Sequence, residues 1–423
     1  MKKTHRRSFL KQLSVGAAGT VLLSSFKGVE TDQVPTLIKT NDTSEIFWES
    51  VKAQFKFAPK LRYFNNGSLG SCPIPVQNAT NEFRATLDGY PSKYMWGGWR
   101  NEKEDVREKV ANIFSVSKEE IALTHNTTEG MNLIAKSFYF KEGDEVILID
   151  HEHQSAVIPW TVWQEEKGVK LVRPVIPILP KTVAEIVKIY EDAITTRTKV
   201  ISMCHVINTN GMILPVKEVS EMAHKKGILV AVDGAQAPGM FNINLKNLGC
   251  DFYTASAHKW LFAPKGISVF YAKEESQYHL KPLMVANGYR DPSIRRLENY
   301  NTRNLPELLG LGSAIDFINN IGMTKIHVRS YELKHYFRDK ISDNPKFRLK
   351  TPENNALSCA IQTLEVVGKN VRDVRNTLRD DYGIDVRPMS TYDLNGIRIS
   401  FAIFITKKDI DYLVEALETI AKI

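Results

Sequence analysis

Amphipathic stretches and short apolar runs alternate along the chain from about residue 105. Stretches with an apolar residue every three or four positions predict helices at Glu104–Phe114, Thr127–Phe138, Val183–Ile194 and Val216–Lys226. Short runs rich in β-branched residues predict strands at Glu120–Leu123, Glu145–Ile149, Val200–His205, Ile228–Val232, Asp251–Ala255 and Gly266–Tyr271. Continuously apolar strands separated by helices are typical of a parallel or mixed sheet covered on both faces. The pattern therefore predicts an α/β fold.

The pattern changes after about residue 303. A long helix is predicted at Leu305–Asn320, and a tail of strands and helices ends in a predicted helix at Lys407–Ile423. This tail predicts a second, smaller α+β domain. We therefore predict four segments: a leader at 1–30, a linker and N-terminal segment at 31–60, a large domain at 61–300 and a small C-terminal domain at 301–423.

Composition narrows the class of protein. Of the 423 residues, 43% are hydrophobic and 25% are charged, which excludes a disordered chain and a polytopic membrane protein. Four cysteines are too few for a disulfide scaffold. The net charge is +8, but residues 1–28 hold six Lys and Arg and no Asp or Glu, so only +2 belongs to the rest. A nucleic-acid-binding protein would need a basic surface on the part of the chain after residue 28, which carries little net charge. We therefore expect no nucleic-acid partner.

The first 26 residues resemble an export signal. A basic stretch precedes a weakly apolar run from Leu13 to Phe26, which is short and rich in Gly, Ser and Ala for a membrane span. The pair Arg6-Arg7 is followed by Ser8-Phe9-Leu10-Lys11 and resembles a twin-arginine signal. We expect export by the twin-arginine machinery to the periplasm, with an uncleaved membrane anchor possible. The alternative is a basic tail that stays in the cytoplasm.

Two residues at the ends of buried strands carry the candidate chemistry. Asp233 directly follows the strand ILVAV, where its carboxylate would face the ligand crevice of such a sheet. Lys259 follows the strand-like run DFYTA and stands beside Trp260 and Leu261, whose apolar surroundings would lower its pKa and make it a candidate Schiff-base nucleophile. Pyridoxal phosphate (PLP) needs this pairing, since a lysine bonds its aldehyde and an aspartate keeps its pyridine nitrogen protonated.

A phosphate site is predicted where a helix begins after the strand IALT. The segment His125–Gly130 opens that helix, and backbone N–H groups at a helix start bind phosphate well. Together with Asp233 and Lys259, this helix start would supply the third part of a PLP site.

The sequence resembles fold-type I PLP enzymes of aminotransferase class V, the group that includes isopenicillin N epimerase-like proteins and cysteine desulfurases. The resemblance covers roughly residues 60–420. It is carried by five segments: YFNNGSLG (63–70), THNTTEGMN (124–132), DHEHQSAVIPW (150–160), VDGAQAPG (232–239) and DFYTASAHKWLFAPKG (251–266). It implies an aspartate aminotransferase-like fold with a mostly parallel, seven-stranded sheet in a large PLP-binding domain. It also implies a homodimer with shared active sites.

The resemblance implies a role for each matching residue. The catalytic set would be the Schiff-base residue Lys259, the pyridinium partner Asp233 and His153, which would stack on the pyridine ring. The remaining cofactor contacts would be Gln236 and Asn208 near the phenolic oxygen, and Thr127, Thr128, Ser256, His258 and the partner subunit's Thr302 at the phosphate. Arg398 would clamp the α-carboxylate of an amino-acid substrate, with Arg387 as a second such arginine, because a guanidinium binds a carboxylate through two bonds.

Several of these residues have plainer readings. His151 and His153 could hold a metal, but no further ligand cluster follows, so no metal is predicted. Asn208 could be an ordinary loop residue, and Arg387 could be a surface charge.

The choice of reaction depends on one missing residue. Desulfurases need a mobile cysteine shortly after an arginine placed like Arg387, and the stretch RPMSTYDLNG contains none. We therefore expect epimerase, racemase or aminotransferase chemistry at an α-carbon, with Lys259 as the acid–base group. A cysteine desulfurase or lyase, and a non-catalytic protein on the same fold, stay as alternatives. The sequence lacks the G-x-G-x-x-G motif of dinucleotide-binding oxidoreductases and the G-x-S-x-G motif of α/β-hydrolases, so neither class is expected.

Overall fold

The computed structural model describes residues 44–391 and 394–422. The predicted leader and the first part of the predicted linker lie outside the described residues. The strands are β1 Arg62–Tyr63, β2 Ile121–Thr124, β3 Glu145–Ile147, β4 Lys170–Val172, β5 Thr198–Cys204, β6 Leu229–Asp233, β7 Phe252–Ser256, β8 Ser268–Ala272, β9 Phe347–Leu349, β10 Ile361–Val366, β11 Ile384–Asp385, β12 Arg387–Met389 and β13 Gly396–Ser400.

Helices separate most of these strands. The longer ones are α1 Glu45–Lys52, α2 Ile74–Gly89, α3 Arg100–Phe114, α4 Thr127–Ser137, α5 Gln154–Lys167, α6 Val183–Asp192, α7 Val216–His224, α8 Leu305–Ile321, α9 Met323–Ile341, α10 Val371–Tyr382 and α11 Lys407–Lys422. Short helical turns lie at Pro91–Lys93, Tyr94–Gly98, Lys118–Glu120, Leu245–Leu248, Glu274–His279, Ile294–Glu298 and Asn355–Leu357. Within the described ranges, no helix is both long and apolar enough to cross a membrane.

The central sheet of the described chain has seven strands in the order β2-β8-β7-β6-β5-β3-β4. All pairs are parallel except those of β8, which runs antiparallel to β2 and β7. The sheet is therefore mixed and mostly parallel, as predicted.

Both faces of this sheet are buried. Along β5, Ile201 and Met203 pack into one apolar cluster and Val200 packs into the other. Successive side chains of a strand point to opposite faces, so a strand covered on both sides is mostly apolar along its length. Burial on both faces explains why the strands of the central sheet contain continuous apolar runs.

A second sheet lies in the C-terminal part of the chain. Its order is β12-β13-β10-β9, and every pair is antiparallel. The short strand β1 pairs in parallel with β11, so a segment near residue 62 joins the C-terminal elements. The predicted domain boundaries stay predictions.

The predicted elements of the central sheet match the observed ones within two residues at most ends. The helix predicted from Glu104 begins four residues earlier, at Arg100. No bounds were predicted for the helices α1, α2, α5, α9 and α10 or for the strands β1 and β4, and α1 falls within the predicted linker. Helix α5 holds Pro159 in its interior, which ordinarily ends a helix, and this proline masked the helical pattern.

Candidate active site

A cavity of about 310 Å³ opens at the carboxyl ends of the parallel strands. The segments that follow β2, β3, β5, β6 and β7 all contribute to it. Its lining residues are Ser68, Asn126, Thr127, Thr128, His151, His153, Ser155, Cys204, Val206, Asn208, Asp233, Ala235, Gln236, Ser256, His258 and Lys259. The cavity lies where ligands bind in open α/β sheets, and its volume is typical of a small-molecule site. It brings together nine of the residues predicted from the sequence.

Asp233 is the last residue of β6 and is buried at the floor of the cavity. One carboxylate oxygen accepts a hydrogen bond from the Ala235 backbone N–H at 2.9 Å, and within the described residues the other oxygen has no such donor. Burial raises the pKa of Asp233, while the Ala235 bond and the charges of Lys259 and His153 act in the opposite direction. A ligand that brings a cation to this oxygen would favour the ionised carboxylate.

Lys259 faces the same cavity from the segment after β7. Burial, together with the charges of Arg398 and Arg387, lowers the pKa of Lys259 to about 8, while Asp233 opposes the shift. The backbone around the lysine is held tightly, since Gly70 N–H donates to the His258 carbonyl at 3.0 Å. A lysine with this pKa is partly uncharged near neutral pH and can act as a nucleophile or a base.

The start of α4 forms the polar end of the cavity. The Thr127 N–H donates to Ser256 Oγ at 3.0 Å, and the Ser256 N–H donates to Thr127 Oγ1 at 2.9 Å. Asn126 caps the helix by accepting from the Glu129 N–H at 2.9 Å. The positive end of the helix and these hydroxyls make a site for an anion such as phosphate.

His258 lies next to this end and has an unsatisfied ring atom. Its Nδ1 is buried without a hydrogen-bond partner in the described structure. Burial and the neighbouring lysines lower the pKa of His258 to about 4, so the ring is neutral at pH 7. This nitrogen is therefore available for a hydrogen bond with a ligand in the cavity.

His153 and Gln236 both line the cavity and are held by hydrogen bonds. His153 precedes α5, and its Nδ1 accepts from the Ser155 N–H at 3.2 Å. Gln236 donates to the Gly67 carbonyl at 2.7 Å and accepts from Trp260 Nε1 at 2.9 Å. These bonds fix both side chains toward the cavity before a ligand arrives.

Arg398 and Arg387 lie beside the cavity rather than in its lining. Arg398 is buried on β13, donates from Nη1 to the Asn208 carbonyl at 2.9 Å and leaves its buried Nε unpaired. Arg387 is exposed on β12. In the described chain, neither guanidinium forms an ion pair with a carboxylate. A buried cation without a counter-ion indicates an anionic ligand.

One predicted cofactor contact, Thr302, lies outside the cavity lining. Thr302 is exposed and does not line the cavity of its own chain. This placement agrees with a role in a partner subunit, which stays a prediction.

No group of three or more His, Cys, Asp or Glu side chains that could hold a metal occurs in the described part.

Several lining residues were not assigned from the sequence. Ser68, Asn126 and Ser155 stand inside the segments that carry the resemblance, so those segments held a signal for them. Cys204 lines the cavity, and behind it Glu152 accepts from the Cys204 N–H at 2.8 Å. No sequence pattern linked residues 52 positions apart.

The aminotransferase class-V family model matches residues 76–413. The chain belongs to this family. It is 30% identical over 390 residues to isopenicillin N epimerase of Streptomyces clavuligerus, covering 88% of this chain and 98% of that protein. It is 33% identical over 385 residues to a probable cysteine desulfurase of Halalkalibacterium halodurans, covering 85% and 92%. The apo cysteine desulfurase of Thermococcus onnurineus superposes with a TM-score of 0.79 at 25% identity, covering 88% and 98%.

These similarities confirm the fold-type I prediction, including the mostly parallel seven-stranded sheet. Membership of the aminotransferase class-V family indicates pyridoxal phosphate as the cofactor. The cavity fits that cofactor, because it offers an anion site at the start of α4, an unpaired oxygen on Asp233 and the amine of Lys259.

Proposed function

We propose that the protein is a PLP-dependent enzyme acting at the α-carbon of an amino acid or an amino-acid-containing substrate, with epimerase-like chemistry. The observation that carries the proposal is that Asp233 and Lys259 face one cavity, with the buried cation Arg398 beside it. An acid partner, an amine and a carboxylate clamp are the three groups that such chemistry requires.

Each group has a defined task in the proposed site. Thr127, Ser256 and His258 would hold the phosphate, and Asp233 would hold the protonated pyridine nitrogen. Bound PLP would supply an electron sink for the charge that develops on the α-carbon. Arg398 would orient the substrate carboxylate, so that the α-hydrogen points toward Lys259.

Lys259 is the proposed acid–base group. Its pKa of about 8 lies close to neutral pH, where a general base is most effective because both protonation states are populated. Inversion at the α-carbon needs a proton donor on each of its two faces, and Lys259 would serve one of them.

Epimerase-like chemistry is favoured over desulfuration by the state of the thiols. All four cysteines are buried. Burial and nearby carboxylates raise the pKa of Cys204 well above its ordinary value, which makes this cavity-lining thiol a poor nucleophile. Similarity to isopenicillin N epimerase supports the same choice. Cysteine desulfurase is the second candidate, since a probable cysteine desulfurase is 33% identical.

An amino-acid panel in deuterated water tests the proposal. Each amino acid is scored separately for α-deuterium exchange, change of chirality, keto-acid release and sulfide release. We expect exchange with inversion, and we expect Lys259→Ala to lower the exchange by about 10³-fold or more while losing the PLP that borohydride fixes. Exchange at the wild-type rate in Lys259→Ala would remove the lysine from the mechanism. Sulfide release from cysteine without inversion would favour the desulfurase.

We also propose that the twin-arginine segment exports the enzyme. The support is the sequence Arg6-Arg7-Ser8-Phe9-Leu10-Lys11. Replacing both arginines by lysine keeps the charge, and we expect the folded protein to stay in the cytoplasmic fraction. Unchanged periplasmic recovery of the double variant would contradict export by this route.

A further inference from the structure

Resting on the proposed function, we infer that Ser68 is a substrate-positioning residue whose hydroxyl holds Arg387 and Arg398 toward one point, so that a single substrate carboxylate spans both guanidinium groups. Ser68 lines the cavity in the loop between β1 and α2. It has no role in the site described above.

Three polar groups meet at the Ser68 hydroxyl. Arg398 Nη2 donates to Ser68 Oγ at 2.6 Å, and Arg387 Nη1 donates to the same oxygen at 3.2 Å. The Ser68 hydroxyl donates to Asn65 Oδ1 at 2.6 Å. A hydroxyl has one donor and two acceptor positions, so all its positions are used. Two cations therefore converge on one neutral oxygen that faces the cavity.

The backbone forces the two arginines together. Arg387 on β12 is the direct antiparallel partner of Arg398 on β13. Like charges directly opposite each other destabilise a sheet, so this pairing has a cost in the ligand-free protein. Burial and the charge of Arg387 lower the pKa of Arg398 to about 9. An anion between the two groups would remove this repulsion.

Among the described residues, no carboxylate pairs with either guanidinium group. The described acidic residue Asp385 accepts instead from Asn65 Nδ2 at 3.3 Å. Arg387 has no hydrogen-bond acceptor other than Ser68 in the described structure. Guanidinium–carboxylate bonds are about twice as strong as bonds to a neutral oxygen, so a substrate carboxylate would bind both guanidinium groups beside the hydroxyl that orients them.

The loop that carries Ser68 is fixed. Gly67 N–H donates to Ser400 Oγ at 3.1 Å, and the Gly67 carbonyl accepts from Gln236. A Cβ on Gly67 would lie 3.3 Å from Cζ of Arg398, so the chain packs directly on this guanidinium. The hydroxyl position is therefore set by the backbone, and the two arginines are oriented before the substrate binds.

Calorimetric titration with propionate tests the inference, because propionate carries a carboxylate and has no amino group to react. The titration uses the PLP-loaded and the PLP-free protein, with propionamide as the uncharged probe. We expect Ser68→Ala to weaken propionate binding by about tenfold, which reflects lost orientation of two charged donors. Ser68→Thr keeps the hydroxyl and should restore binding. Ser71→Ala is the matched control, since Ser71 lies three positions further along the chain and lines a different cavity.

A second variant tests the same point from the opposite direction. Ser68→Asp would place a carboxylate between the two arginines, so we expect a higher melting temperature together with loss of propionate binding. In the amino-acid reaction, Ser68→Ala should raise KM and leave kcat nearly unchanged.

The outcomes separate this inference from the proposed function. Propionate binding that depends on Ser68 in a protein inactive on every amino acid would keep the carboxylate site and refute the reaction. The inference is overturned if Ser68→Ala binds propionate as tightly as the wild type, if Ser68→Asp still binds it, or if the wild type does not prefer propionate to propionamide.

Discussion

Glu152 shows how a single buried carboxyl affects this site. Its Oε1 accepts from the Cys204 N–H, and its Oε2 is buried without a partner in the described chain. Burial, together with the charge of Asp233, raises the pKa of Glu152 to about 8. Cys204 is the register partner of Asp233 between β5 and β6, so Glu152 lies directly behind the proposed pyridinium partner. A neutral Glu152 avoids a second negative charge there.

This state predicts a pH dependence of stability. The folded protein keeps the Glu152 proton up to about pH 8, whereas the unfolded chain releases it near pH 4.3. The contribution of Glu152 to the stability of the protein is therefore greatest below about pH 4.3. It is lost as the pH rises toward about 8, by at most about 1.4 kcal/mol per pH unit. Glu152→Gln stays neutral and keeps the acceptor for Cys204. We expect the free energy of unfolding of Glu152→Gln to exceed that of the wild type by an amount that grows between pH 5 and 8.

Urea unfolding of both proteins at matched pH values measures this difference. The same neighbouring groups are present in both proteins, so the difference reports the ionisation of Glu152 together with its coupling to Asp233. Parallel stability curves for wild type and Glu152→Gln would show that Glu152 is ionised throughout this range.

At the same scale, the sequence predicted residues with a chemical signature and missed those defined by contacts. Asp233 and Lys259 stand at strand ends with a recognisable pairing of charge and nucleophile. Ser68 and Glu152 are defined by partners far along the chain, Arg398 and Cys204, and no local pattern shows such contacts. The proposed roles of the predicted residues stay predictions until they are tested.

Among the elements, the six predicted strands of the central sheet match the observed ones because burial on both faces makes most of their positions apolar, whereas the edge strand β4, which is only partly buried, was not predicted. Helices were predicted where one face is apolar and the other polar, as in α7. Helix α5 escaped because Pro159 lies inside it, and its start is fixed by the His153 side chain rather than by a common capping residue. Capping by histidine depends on a geometry that sequence patterns do not reveal.

The loop after β1 and the segment that carries Lys259 are in direct backbone contact. A Cβ on Gly70 would lie 2.1 Å from the Lys259 carbonyl oxygen and 2.4 Å from that of His258. We expect Gly70→Ala to displace this segment at a cost of about 1–3 kcal/mol and to weaken PLP binding by at least about tenfold. Chemical unfolding and PLP titration measure the two effects.

Gly89 provides the matched control. It ends α2, and a Cβ added there would meet nothing within 4 Å. Gly89→Ala should bind PLP as the wild type does. If Gly70→Ala also binds PLP normally, the close approach of the two segments has no role in placing Lys259.

For the whole molecule, the question is where Thr302 acts. The flanking residues are anchored, since the Tyr300 hydroxyl bonds Glu129 and Arg303 Nη1 donates to the Leu123 carbonyl at 2.9 Å. Thr302 itself is exposed and lies outside the lining of its own cavity. A fixed segment that presents an exposed threonine fits a contact made across a two-fold axis, where each subunit contributes the same surface to the other.

A mixed dimer tests this contact in full. One subunit carries Lys259→Ala and the other carries Thr302→Ala, and the PLP that borohydride fixes is measured at limiting PLP. If Thr302 acts in the partner's site, the site that holds Lys259 also receives an intact Thr302, so the mixed dimer should fix about half of the wild-type PLP. If Thr302 acts within its own chain, that site lacks the threonine and fixes no more than the Thr302→Ala homodimer does per lysine. A dimer of Lys259→Ala with wild type is the control, since it keeps one complete site in either case. A monomer that binds PLP as tightly as the wild-type assembly would exclude the shared site, because no partner would be present to supply Thr302.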